Sequence, residues 1–316
     1  MGRMSLYLGF VLVLIALLVG VDLLVLRSTN PEQRLAHHYY MALGDSLTFG
    51  YQPDLNFTDG FADKVFRDLQ SSNVTGEINL ACGGETTTSM IQGGCIGRFL
   101  HHGTYTGAQL DAAIAFLQSH PQEVSPVTLE IGSNDVLPDW HSSTCGPDPN
   151  ANADLAAMDH NLTTVILPRL MKALQSPSGN RTGDLVMLSY YDPFAKECPG
   201  SLAFVTTFNQ HLAADAAQYQ IPIVDVYTAF GGDASMATNI CQGPLDDKGV
   251  RHPYTWMCDP QFNDIHPTTD GYSVIAKAVE LTLGYPDIGP ALPGIPPIDP
   301  LSGWISPRFV QRLDLS

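Results

Sequence analysis

The sequence predicts an α/β domain built on a mainly parallel sheet with helices on both faces, and two observations carry the prediction. Five short apolar runs, Tyr40–Leu43, Glu77–Ala81, Val127–Ile131, Leu185–Ser189 and Ile221–Val226, alternate with longer segments whose apolar residues recur at three- and four-residue spacing. Strands covered on both faces read as continuous apolar runs, and a strand that must return parallel needs a helical crossover. The second observation is size: 316 residues at 44% hydrophobic content suffice for one substantial core.

Taken in order, the chain opens with Met4 to Leu26, almost continuously apolar with Asp22 its only charge. At 1.5 Å rise per residue such a run spans a bilayer core of about 30 Å. It exceeds a usual signal-peptide core and no clear small-residue cleavage site follows, so residues 1–27 are read as a membrane anchor, with a cleaved signal segment as the alternative. Residues 28–38 form a polar linker, and the domain proper occupies 39–285. The predicted helices are Ala62–Gln70, Ala108–Leu117, Leu155–Leu174, Leu202–Tyr219 and Tyr272–Leu283. Long insertions at Gly93–Tyr105, Pro138–Asn152 and Gly231–Phe262 hold many of the Gly, Cys and Trp residues. Residues 286–316 are a Pro-rich tail.

Charge and cysteines narrow the setting. With 15 Lys+Arg against 32 Asp+Glu and a net charge of −17, the chain repels a phosphate backbone, which excludes nucleic acid as a partner. The six cysteines, Cys82, Cys95, Cys145, Cys198, Cys241 and Cys258, contain no CxxC pair and no zinc-like spacing, so no metal and no cofactor is expected. They read as disulfides; pairing in sequence order closes three local loops, although spacing alone leaves the connectivity open. Disulfides and a membrane-targeting segment together imply an extracytoplasmic body, anchored or secreted. Four tripeptides beginning at Asn56, Asn73, Asn161 and Asn180 match glycosylation sequons.

Three loops after predicted strands carry small polar groups. The first ends in Gly44-Asp45-Ser46-Leu47, the second in Cys82-Gly83-Gly84-Glu85 and the third in Gly132-Ser133-Asn134-Asp135. In the doubly wound order 2-1-3-4-5, strands 2 and 3 flank strand 1, so these loops converge at the carboxyl edge. Ser46 at a strand-to-helix junction reads as a nucleophile, the alternative being that Asp45 or Ser46 caps the helix. The Ser46 and Gly84 amides and the Asn134 side chain are donors suited to a developing oxyanion. A base must come from elsewhere; His266, in Asn263-Asp264-Ile265-His266-Pro267, has a carboxylate and an amide beside it, which His37-His38 and His101-His102 lack.

These four blocks, in this order, resemble the signature blocks of the SGNH hydrolases, the GDSL lipase/esterase family, over about Tyr39 to Gly284. The resemblance implies a three-layer α/β/α sandwich, with Ser46 as nucleophile and oxyanion donor, Gly84 and Asn134 completing the oxyanion hole, and His266 as base. One departure stands out. The family's acid lies three residues before the histidine, where this chain has Asn263; Asp264 lies only two before. Asp264 is assigned the role, with Asn263 or a backbone carbonyl as substitutes. The implied activity is hydrolysis of small-molecule or lipid carboxylic esters through an acyl-enzyme, with membrane contact through the first segment. A carbohydrate O-acetylesterase and a catalytically silent cell-surface binding module are the rivals.

Overall fold

The strands of the central sheet are β1 (Tyr39–Gly44), β2 (Gly76–Asn79), β3 (Val124–Glu130), β4 (Leu185–Leu188) and β5 (Ile223–Val224) in a computed structural model that describes residues 37–284 apart from 73 and 104. They pair in the spatial order β2-β1-β3-β4-β5, every pairing parallel. This is the predicted α/β sheet with its switch point beside β1. All of β3 and five of the six residues of β1 are buried, because helices close both faces. The segment expected to be an anchor, most of the expected linker and the Pro-rich tail lie outside the described residues. Among the described residues no helix is long and apolar enough to cross a membrane.

Right-handed crossovers explain the layers. The chain steps one way from β1 to β2 and the other way thereafter, so the helix between β1 and β2 lies on the face opposite the later crossover helices. Phe61–Leu69 therefore packs against the last helix, Thr269–Leu283, while Gln109–Ser119 packs against Leu167–Ala173 on the other side. In Phe61–Leu69 the buried residues Phe61, Ala62, Val65 and Leu69 fall on one stripe, and Arg67 faces water.

Local chemistry adjusts several expected boundaries. The helix expected as one piece over Leu155–Leu174 is Ala151–Asn161 and Leu167–Ala173 joined by a π-helical turn, Leu162–Ile166. Pro168 has no N–H to continue an α-helical ladder, so the register change falls just before it. The fifth strand is shorter than its apolar run because Asp225 turns the chain, accepting from the Thr228 amide at 2.9 Å to cap a helical turn at Val226–Ala229. A further helix, Gly232–Asn239, lies within the insertion expected to be a loop.

Candidate active site

The turn that presents Ser46 is built by close packing at its first residue. Gly44 ends β1 at φ +153°, and a Cβ there would lie 2.1 Å from the Glu130 carbonyl oxygen on β3. Asp45 then caps the short helix Ser46–Phe49, its Oδ1 accepting from the Leu47 amide at 2.9 Å. The capping alternative thus falls to Asp45, whose Oδ1 lies at the limit of hydrogen bonding, 3.5 Å, from Ser46 Oγ, and Ser46 stands in the cavity wall. Gly50, at φ +82°, ends the helix in the left-handed conformation.

His266 meets that hydroxyl from the opposite end of the chain. Its Nε2 is 2.8 Å from Ser46 Oγ, and its Nδ1 is 2.6 Å from Asp264 Oδ1. The His266 backbone N–H donates to the same Asp264 oxygen at 2.8 Å. Asn263 makes no hydrogen bond to His266; it sits at φ +43° and donates its amide to the Asp259 carbonyl. The segment is held from both sides: the Trp256 amide donates to the His266 carbonyl at 3.0 Å and the Tyr191 hydroxyl to the Ile265 carbonyl at 2.7 Å. Thr268 follows as the N-cap of the last helix. Burial works to raise the Asp264 carboxyl, but the hydrogen bond and charge of His266 outweigh it and hold it below the usual aspartate value.

The donors expected around the oxyanion stand differently from one another. The Ser46 and Gly84 amides line the cavity and have no partner among the described residues. Gly84 sits at φ +77°, in the loop that the Cys82–Cys95 disulfide ties down. Asn134 is also in the cavity wall, but both N–H groups of its amide are engaged, with Asp45 Oδ2 at 3.0 Å and the Glu85 carbonyl at 3.0 Å. The three cysteine pairs are Cys82–Cys95, Cys145–Cys198 and Cys241–Cys258, the local pairing. Cys82, Glu85 and Cys95 cluster, but the two sulfurs are bonded to each other and offer no thiolates to a metal.

Beneath these residues lies a buried polar network that sequence reasoning missed. Glu130 Oε2 accepts from Thr48 Oγ1 at 2.9 Å, the Thr48 amide at 3.2 Å and, at 3.4 Å, the Asp45 amide. Gln109 clasps Gly44, accepting from its N–H at 2.8 Å and donating to its carbonyl at 2.9 Å, and also donates to Glu85 at 3.0 Å. Asp45 Oδ2 accepts from Ser133 Oγ at 2.7 Å. Burial, and then the charge of Asp45, push the Glu130 carboxyl well above the ordinary glutamate value. Burial likewise raises Glu85 to about 7, against hydrogen bonds from Ser89 and Gln109 that lower it. The one available signal was a charged residue closing an otherwise uncharged strand run.

A parallel sheet bearing a serine, histidine and aspartate in hydrogen-bonded line at its carboxyl edge belongs with the carboxylic ester hydrolases. The chain is a member of the GDSL-like Lipase/Acylhydrolase family, whose profile it matches over residues 42–274, and it is a carboxylic ester hydrolase of that SGNH type. Among solved structures it is similar to the lipase Lip_vut3 from a goat rumen metagenome at 19% identity, covering 78% of this chain and 97% of that one, with a TM-score of 0.49. It is also similar to Axe2, an acetylxylan esterase from Geobacillus stearothermophilus, at 15% identity, covering 82% and 100%, with a TM-score of 0.49. A third is phospholipase A1 from Streptomyces albidoflavus NA297, at 19% identity, 78% and 99% coverage and a TM-score of 0.43. No curated protein sequence matches the chain.

Proposed function

We propose that the protein is an exported serine esterase in which Ser46 attacks the ester carbonyl, His266 acts as base and Asp264 orients it. The observation that carries this reading is the hydrogen-bonded line from Asp264 Oδ1 through His266 to Ser46 Oγ, at 2.6 and 2.8 Å. Asp264 keeps the proton on Nδ1, so Nε2 is free to take the Ser46 proton as the Oγ–carbon bond forms. The carbonyl electrons move to oxygen, where the Ser46 and Gly84 amides stand without other partners. Asn134 joins them by releasing one of its two acceptors; a donor so placed is worth about 3 to 4 kcal/mol in acyl transfer. His266 then protonates the departing alkoxide, leaving an acyl-serine. Water, deprotonated by the same nitrogen, attacks the acyl carbon; the tetrahedral adduct expels Ser46 Oγ, which regains the proton.

The functional unit in this reading is residues 39–285, with residues 1–27 serving as anchor or export segment. Three disulfides and a net charge of −17 support an extracytoplasmic location. A fluorophosphonate probe tests the assignment: the adduct maps to Ser46 and is lost in Ser46→Ala, along with p-nitrophenyl ester turnover. An adduct on another residue, or a fully active Ser46→Ala enzyme, would overturn it.

A further inference from the structure

The cavity beside Ser46 extends well past the reacting atoms. Its volume is about 360 Å³. His266 must protonate the leaving oxygen, so the leaving group lies on the side of His266 and of Tyr51, whose ring packs 4.6 Å from the imidazole. With the oxyanion directed to the Ser46 and Gly84 amides and Asn134, the acyl group takes the remaining, apolar part of the cavity. In that direction the lining is Val136, Leu137, Trp140, Phe204 and Phe208. Trp140 stands 5.4 Å from Phe204 and 6.1 Å from Phe194, ring to ring, which makes one aromatic wall from two separate segments. The Cys145–Cys198 disulfide ties the loop after Trp140 to the loop after Phe194.

The wall offers few polar partners to whatever fills it. The Ser201 hydroxyl is already committed to Asp192 at 2.5 Å and the Cys198 carbonyl at 2.7 Å. Trp140 Nε1 and the Tyr190 hydroxyl are its unpartnered buried polar atoms, too few to solvate a polar acyl group. An aliphatic chain asks for no such partners. At roughly 30 Å³ per methylene, close to the share of one water in the liquid, the cavity holds about twelve heavy atoms; with about four taken by the ester group, about eight carbons remain.

We propose that this cavity is the acyl site, that it takes unbranched aliphatic acyl chains of medium length in preference to acetyl, and that Leu137, Trp140 and Phe204 set the length accepted. The proposal rests on Ser46 being the nucleophile and adds the substrate class. Each methylene buried is worth about 0.8 kcal/mol, so kcat/KM rises by up to about fourfold per methylene until the wall is reached.

The experiment is a p-nitrophenyl ester series from acetate to palmitate, assayed below micellar concentrations with the full-length chain, alongside fluorophosphonate labelling. The expected profile climbs from acetate to about octanoate and falls beyond about decanoate, the length set by the volume above. Leu137→Trp lowers the ratio of decanoate to acetate kcat/KM by tenfold or more, and Phe204→Ala moves the optimum to longer chains. If those variants do not fold, the wild-type profile alone decides. A flat profile, or one highest at acetate, with Ser46 still labelled, overturns the acyl site and leaves the serine esterase standing. Absence of both labelling and turnover overturns the Ser46 assignment and the acyl site with it.

Discussion

Replacing Asp264 tests the most unusual part of the site, and the geometry predicts an uneven result. One oxygen, Oδ1, accepts both from the His266 ring at 2.6 Å and from the His266 backbone at 2.8 Å. In Asp264→Asn the amide carbonyl can occupy the same place, accept both hydrogen bonds and preserve the Nδ1–H tautomer; only the charge is lost. A hydrogen bond to a charged group contributes about 1.5 to 3 kcal/mol against about 0.5 to 1.5 for a neutral one. The imidazolium that forms during attack also loses a Coulomb partner worth up to about 4 kcal/mol at an effective dielectric near 20. The two figures overlap in origin, so kcat should fall about 10- to 1000-fold. Asp264→Ala also frees the tautomer and the loop turn, and should fall further, by about 10⁴-fold, the scale of loss when the acid of a Ser-His-Asp triad is removed. The assay is kcat and KM for p-nitrophenyl octanoate, with thermal melts as a folding control. An alanine variant as fast as wild type, or an asparagine variant no faster than alanine, would refute the reasoning.

Glu130→Ala strands the Thr48 and Asp45 donors in a buried site at about 1 to 3 kcal/mol per group, whereas Glu130→Gln keeps a neutral acceptor. Thermal melts should show a large loss for alanine and a small one for glutamine; equal losses would contradict the acceptor role of the Glu130 side chain. The double change Cys145→Ser with Cys198→Ser opens a loop with sequence separation 53. Chain entropy assigns such a loop about 4 kcal/mol, which denaturant titration would read as a lower midpoint, and an unchanged midpoint would contradict it. Finally, burial lifts Glu77, Glu85 and Asp215 to about 7 and Glu280 to about 8 in the folded chain. Unfolded carboxyls titrate near about 4, so between about 4 and 8 the folded state binds more protons, and stability falls as pH rises. Scanning calorimetry should give a higher midpoint at pH 5 than at pH 8, and a rising midpoint would reverse the assignment.

The sheet order and the helical layers were legible because both are written in local periodicity: apolar runs such as Val127–Ile131 and stripes such as Phe61, Val65 and Leu69 need no distant partner to be recognised. The residues around Ser46 were legible for a related reason, since three of the four blocks follow strands and all strands end at one edge, while His266 stood out by its carboxylate and amide neighbours. Glu130 and Gln109 were not. Each acts on the nucleophile turn from over sixty residues away, and nothing in its neighbours in sequence marks it as a partner of Gly44 or Thr48. The helix Gly232–Asn239 was hidden by the Gly231-Gly232 pair, which reads as a turn. Its buried Met236 and the Asn239 side chain, which donates to the Phe230 carbonyl at 2.9 Å, are tertiary anchors.

Because Asp264 holds both the ring and the backbone of His266, the two form a three-residue cassette aligned by its own hydrogen bonds and fixed from outside by Trp256 and Tyr191. What the fold must supply is those anchors and the registration of the cassette against Ser46. Wall residues such as Leu137 and Phe204 make none of these hydrogen bonds, so a substitution there can change what the cavity accepts while the line from Asp264 to Ser46 keeps its geometry.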